Sequence, residues 1–334
     1  TIGYMSYMFS AAAASRKLPR PDLVVATSPQ FFCACAGFLA SKLRRCPWIF
    51  ELRDIWPESI VAVGAIENRA LIKVLEIMEL GLYRNADAIV AVTPSFKDNL
   101  RKRGIAPEKI HVIPNGIDVD SWERDPDAEP RSELGLGGEF VVSYVGTHGM
   151  AHNLQTLLEA ADILGNDSGV QVVTVGDGAE LEDLREMKAR RGLDNVRMDG
   201  QVPRDRARLY LHGSDVSVVL LRDAELFRTV IPSKIFEAMA VGNPIILGVR
   251  GQAREIVEEA DAGVCIPPES PDKLARAIRK LKDDEGYRRK LGQNGYRYVR
   301  RKFDRNILAH RMLDVMTVAA NNAGTEPKPA ALQS

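Results

Sequence analysis

The stretch "IPSKIFEAMAVGNPIIL" (231–247) brings together residue types that suit a nucleotide. Pro232 and Ser233 open a short helix, whose first-turn amides are free to hold a pyrophosphate, and Lys234 adds a positive charge at the same point. Glu237 falls one turn further along the face of Ser233, where its carboxylate can accept two hydrogen bonds from a ribose diol; the bland alternative is a solvated helix acid. Its neighbours Ile235, Phe236, Ala238 and Met239 mark a buried helix, in which an unpaired acid is costly.

Two glycine turns have related chemistry. In "YVGTHGMAHNL", Gly146 and Gly149 surround Thr147 and His148 where a strand gives way to a helix, and bare backbone amides there suit a phosphate, with an ordinary tight turn as the alternative. In "VGDGAELEDL", Gly176 and Gly178 flank Asp177, which caps the next helix or faces the ligand. Near the amino end, "ELRDIWPES" places Glu51, Arg53, Asp54 and Glu58 at the end of a buried strand, where ligands of parallel sheets bind. "DVD" (118–120) follows "NG" and reads as a turn, not a metal site.

These residues need a scaffold of parallel strands. Short Val/Ile-rich runs without alternation at 22–28, 47–54, 86–93 and 109–116 read as strands buried on both faces, with helices between them. A second series runs through 140–147, 170–178, 195–203, 215–221, 244–249 and 263–268. The acidic, Pro- and Gly-containing stretch between the two series has no apolar period and reads as a linker. The expected fold class is α/β, two Rossmann-like doubly wound domains facing across a cleft. The expected boundaries are 1–118 for the first domain, 119–139 for the linker and 140–302 for the second domain. Residues 303–321 then form a helix crossing back to the first, and 322–334 a disordered tail.

Composition narrows the class. The 334 residues are 45% hydrophobic and 27% charged, ordinary for globular domains, and 45 basic against 45 acidic side chains give no global pull toward nucleic acid. The first third is mildly basic, which suits an anionic surface or substrate. Cys33, Cys35, Cys46 and Cys265 lack metal-ligand spacing and read as small buried hydrophobes. "TIGYMSYMFSAAAASRKLPR" carries its charges after its apolar stretch, unlike a signal peptide, and reads as a helix inside a fold whose start lies upstream.

"PSKIFEAMAVGNPII", "VGTHG", "VGDG", "IPNGIDVDSW" and "FELRDIWPES", in this order-specific set from about residue 20 to 318, resemble the retaining glycosyltransferases of group 1, family 4, most of all the bacterial transferases of capsule, exopolysaccharide and O-antigen assembly. The resemblance implies the GT-B architecture, with the nucleotide sugar on the second domain and the acceptor on the first. It gives Glu237 the nucleotide ribose, as the second of the family's paired glutamates; the first falls on Thr229, so the usual carboxylate to the donor sugar is absent unless Glu225 reaches in. The family's Arg and Lys after the first strand of the second domain fall on Thr147 and His152, which leaves the diphosphate to Lys234, helped by Arg222 or Arg228. Arg53, Asp54 and Glu58 become acceptor-side candidates, against a local salt bridge, and Ser95 serves the acceptor or caps a helix. Asp54, Lys234 and Glu237 are the catalytic candidates.

The resemblance further implies front-face transfer, in which the leaving diphosphate takes the acceptor proton. No cofactor and no metal are required, the nucleotide sugar, UDP-linked, being a substrate. A saccharide or polyprenyl-diphosphate-linked acceptor places the enzyme in the cytoplasm, peripheral at the inner membrane face. The apolar first helix with "SRKLPR", "SKLRR" and "KDNLRKRG" suits such contact, although solvated helix faces look much the same. Two other readings compete. A UDP-N-acetylglucosamine 2-epimerase shares the fold but needs acid-base residues that the chain does not offer convincingly. A noncatalytic nucleotide-sugar-binding module is motivated by Thr229 and the missing start.

Overall fold

The computed structural model describes residues 2–56, 68–123, 125 and 128–322. Glu58 and the expected tail beyond Asn322 lie outside the described residues. The chain divides into two compact units, residues Thr1–Asn115 with Asn306–Ser334, and Gly116–Arg305.

In the first unit, β1 (Val24–Thr27), β2 (Trp48–Leu52), β3 (Ala88–Ala91) and β4 (Ile110–Val112) form a parallel sheet in that order. Helices α1 (Ile2–Ala14), α2 (Phe31–Arg44), α3 (Arg69–Asn85) and α4 (Pro94–Lys102) alternate with them. The central strands β2 and β3 are covered on both faces, as their apolar runs imply, whereas the edge strands β1 and β4 are only partly buried and Val25 is 39% exposed. Phe31, Ala34 and Leu82 pack with Trp48 and Phe50 on one face. Leu308, Val315 and Ala319 of the last helix, α13 (Arg305–Asn322), cover Ile49, Ala88 and Val90 on the other.

The second unit begins earlier than the expected boundary at residue 140. The stretch 119–139 is no free linker: Val119 and Trp122 are buried in the second unit's core, and Leu134 packs on Val141 and Val173. A short helix, α5 (Pro130–Glu133), brings Arg131 within 2.5 Å of the Asp215 carboxylate, which also accepts from the Val141 amide at 2.8 Å. These apolar anchors are too widely spaced to show a period, so the sequence reads as linker.

Six parallel strands follow: β5 (Phe140–Val145), β6 (Val170–Val175), β7 (Val196–Met198), β8 (Val216–Leu220), β9 (Ile245–Gly248) and β10 (Gly263–Cys265). Their order is β10-β9-β8-β5-β6-β7, so the chain reverses direction across the sheet between β5 and β8, where Ser143 lies beside Ser217. The crevice beyond the carboxyl ends of strands at such a reversal is where doubly wound sheets bind ligands. The connecting helices are α6 (Gln155–Leu164), α7 (Leu181–Arg191), α8 (Arg204–His212), α9 (Lys234–Ala240), α10 (Gln252–Glu259), α11 (Pro271–Asp283) and α12 (Glu285–Lys302). All four cysteines are free thiols, but only Cys35 is buried, the other three being half-buried.

Candidate functional site

The turns after β5 and β6 and the start of α9 meet at the β5/β8 reversal, and their packing depends on glycine. Gly146 has φ +138° and Gly176 φ +140°, backbone that L side chains rarely adopt. A Cβ on Gly176 would lie 1.9 Å from the Gly146 carbonyl oxygen, and one on Gly178 would lie 2.5 Å from that of His148. The turns therefore touch backbone to backbone, joined by the His148 amide donating to the Asp177 carbonyl at 2.9 Å. Gly149 differs: its φ is −107° and an added Cβ would meet only Thr147 at ordinary contact distance. Its glycine is not demanded by space or backbone.

Lys234 reaches over Gly146. Its ammonium donates to Tyr144 Oη at 2.7 Å, and that hydroxyl donates to the Thr147 carbonyl at 2.7 Å. Among the described residues Lys234 has no ion pair, and Glu237, one turn along α9, has no side-chain hydrogen bond or ion pair. Burial pushes the Lys234 ammonium down to about 8, opposed by the Glu237 charge. Burial also raises the Glu237 carboxyl, opposed by Lys234 and then by Arg204.

The two histidines beside Lys234 carry no charge. His148 is fully buried, and burial lowers its pKa, opposed by the Gly146 backbone. His152 is pushed down to about 4 by burial and then by Lys234. Both imidazoles are neutral near pH 7, so they add no positive charge to that of the ammonium. One ammonium with free protons, glycine turns that admit close backbone approach, and an unpaired acid one turn on can bind an anion carrying a diol.

Other expected residues go elsewhere. Asp177 does not cap α7; its Oδ1 accepts the Gly178 amide at 2.8 Å inside its own turn, and α7 starts at Leu181 without a side-chain cap. Ser233 begins α9 but its side chain caps nothing. Arg222 is tied to Glu180 at 3.2 Å and to the Met150 carbonyl. Glu225, Arg228 and Thr229 form a 3-10 turn in which the Glu225 and Arg228 side chains are exposed and the Arg228 carbonyl abuts Gly251. Pro232 precedes the helix, its carbonyl accepting from Ile235 at 3.1 Å. Among the described residues no group of three or more His, Cys, Asp or Glu is placed to hold a metal ion, and Asp120 of "DVD" pairs with Arg300 at 3.2 Å.

In the first unit Ser28 Oγ accepts the Arg53 amide at 2.9 Å and the Asp54 amide at 3.1 Å, fixing the end of β2. The Arg53 guanidinium turns to Asn115 Oδ1 at 3.4 Å. Ser95 is not the cap of α4: Thr93 Oγ1 accepts the Phe96 amide at 3.2 Å and Pro94 takes the first helical position. Sequence reasoning missed Tyr144 and Arg204; a tyrosine inside an otherwise aliphatic strand, one residue before the Val-Gly turn, was the available signal for the first.

Two parallel-sheet α/β units, with glycine turns and the start of α9 meeting at the strand reversal of the second, define the class. Residues 127–298 match the family of glycosyl transferases group 1, and residues 3–121 match glycosyltransferase family 4. The chain belongs to the group 1 glycosyltransferases. It is 24% identical over 271 residues to WcaI of Escherichia coli (strain K12), a glycosyl transferase assigned to colanic acid biosynthesis, covering 78% of this chain and 66% of that protein. It is 24% identical over 217 residues to the alpha-D-kanosaminyltransferase of Streptomyces kanamyceticus, covering 63% of this chain and 55% of that one. The chain thus spans less than two thirds of the length of these curated relatives. The crystal structure of Anabaena HepE in complex with UDP superposes with a TM-score of 0.75 at 20% identity, over 93% of this chain and 82% of that one. The fold is GT-B. Among the described residues no helix is long and apolar enough to cross a membrane.

Proposed function

We propose that the protein is a retaining glycosyltransferase that moves a sugar from a UDP-linked donor to a saccharide or polyprenyl-diphosphate-linked saccharide during assembly of a bacterial cell-surface polysaccharide. The observation that carries this reading is the half-buried Lys234 ammonium, set over Gly146 without a carboxylate partner among the described residues and one turn before Glu237. The UDP in HepE and the colanic acid assignment of WcaI support the choice of nucleotide and pathway class.

In this reading Lys234 contacts the diphosphate, Glu237 accepts from the ribose diol, and the amides of the two glycine turns line the phosphates. As the bond from the anomeric carbon to the diphosphate oxygen breaks, the acceptor hydroxyl bonds to that carbon on the same face and its proton passes to the leaving diphosphate. The ammonium stabilises the charge that develops on the diphosphate, so its contribution grows in the transition state. Asp54 and Arg53 contact the acceptor, and no metal is needed. Contact with the inner membrane face is supported by exposed Tyr4, Met5, Tyr7 and Phe9 on α1, followed by Arg16 and Lys17.

Calorimetric titration with UDP, GDP and ADP, for the native chain and Glu237→Ala, tests the donor site. Preferential UDP binding that the variant loses supports the reading; equal binding of all three, or binding unchanged in the variant, overturns the ribose assignment. Release of free UDP that depends on an added acceptor separates transfer from epimerisation and from simple binding.

A further inference from the structure

The Lys234 ammonium is oriented by one side chain. A carbonyl only accepts, so the Tyr144 hydroxyl must donate to Thr147 and accept from Lys234, which fixes the direction of both 2.7 Å bonds. The ammonium also lies 4.5 Å from the Tyr144 ring centroid. Of its three protons one is committed to Tyr144, and no acceptor among the described residues takes the other two. Tyr144 itself is fully buried and braced edge-on by His148 and His152, with ring centroids at 5.7 and 6.0 Å.

We propose that Tyr144 is a positioning residue of the donor site, its hydroxyl holding the Lys234 ammonium at the end of β5 with two N–H groups presented to the phosphate oxygens of a nucleoside diphosphate. The proposal rests on the donor-site reading above and deepens it. A lysine stem is flexible, and ordering it on binding would cost side-chain entropy that the phenol removes in advance. The hydroxyl also favours the charged form of the amine by accepting from it. The groups facing Lys234 are Glu237 on its own helix, Tyr144 on β5, and His148 and His152 after β5. Asp177, Glu180 and Arg185 act on that tyrosine and histidine from the β6–α7 side.

The test is UDP affinity against pH for the native chain, Tyr144→Phe, Lys234→Ala and the double variant, each checked by thermal unfolding. Tyr144→Phe keeps the ring and removes only the hydroxyl. It is expected to weaken UDP about tenfold, as losing a charge-assisted hydrogen bond would. The upper pH limit of binding should also move downward, because the amine loses an acceptor. The double variant should bind no more weakly than Lys234→Ala. Native affinity and pH limit in Tyr144→Phe, with Lys234→Ala impaired, would overturn the proposal and leave the donor site standing. Additive losses in the double variant would assign Tyr144 a merely structural role and overturn it as well. Absence of UDP binding by the native chain, or full binding by Lys234→Ala, would overturn the donor-site reading and this proposal together.

Discussion

Gly146 and Lys234 are in such close contact that a methyl group on Gly146 would lie 2.2 Å from Lys234 Cε and 2.7 Å from its ammonium nitrogen. The end of β5 is therefore shaped to receive that side chain. Gly146→Ala must both displace the lysine and adopt φ near +138°, and it should weaken UDP about tenfold or more while lowering Tm. Gly149→Ala, at ordinary backbone and with space for a methyl, should bind UDP as the native chain does. Parallel calorimetry on the two variants checks the contrast; equal losses would refute it.

Glu237 sets function against stability. Burial raises its carboxyl above the ordinary 4.5, so the stability tied to its protonated form is present below that pH and is lost as pH rises through the native value. At neutral pH an ionised Glu237 is a cost to the fold. Glu237→Gln is expected to raise Tm at pH 7 by about 2–4 °C, with the gain vanishing near pH 4, while UDP affinity falls about tenfold. Thermal unfolding at both pH values and titration at pH 7 check the three parts.

In the proposed donor site, Lys234 makes binding proton-linked. Its ammonium is held down to about 8, and a bound diphosphate favours the charged form, so UDP binding above that pH must take up a proton. Affinity should fall with rising pH beyond about 8. Titration at pH 8.5 in two buffers of different ionisation enthalpy measures the uptake. Equal heats in both buffers would show that Lys234 does not titrate with binding.

Much of this architecture was readable in the chain because parallel strands covered on both faces leave continuous apolar runs, as in "FVVSYVG" and "PIILGV". Lys234 and Glu237 stood out as charges in an apolar helix. The partner that holds Lys234 was hidden, because Tyr144 precedes it by ninety positions and only the β5/β8 pairing brings the strand end and helix start together. Gly146 and Gly149 look alike in sequence, and the lysine lying on one of them separates their roles. Trp122 and Leu134 were misleading for the opposite reason: single anchors in an acidic stretch carry no period, yet they tie it to the second unit.

A buried ion pair in the first unit offers a test of stability that is separate from the donor site. Glu79, 1% exposed, accepts from Tyr83 Oη at 2.5 Å and pairs with Arg103, whose guanidinium also lies 5.8 Å from the Tyr83 ring centroid. Removing Glu79 takes from Arg103 a buried carboxylate and from Tyr83 its acceptor, so Glu79→Ala is expected to cost about 3–5 kcal/mol. Glu79→Gln keeps an acceptor for Tyr83 and should cost less. The double variant Glu79→Leu, Arg103→Met removes both charges and should recover most of the loss, since a buried pair contributes little net stability relative to apolar side chains of similar size. Denaturant unfolding measures all three, and with the proposed donor site in the second unit, UDP affinity should stay at the native value in each. A double variant no more stable than Glu79→Ala would mean that the pair contributes net stability of its own.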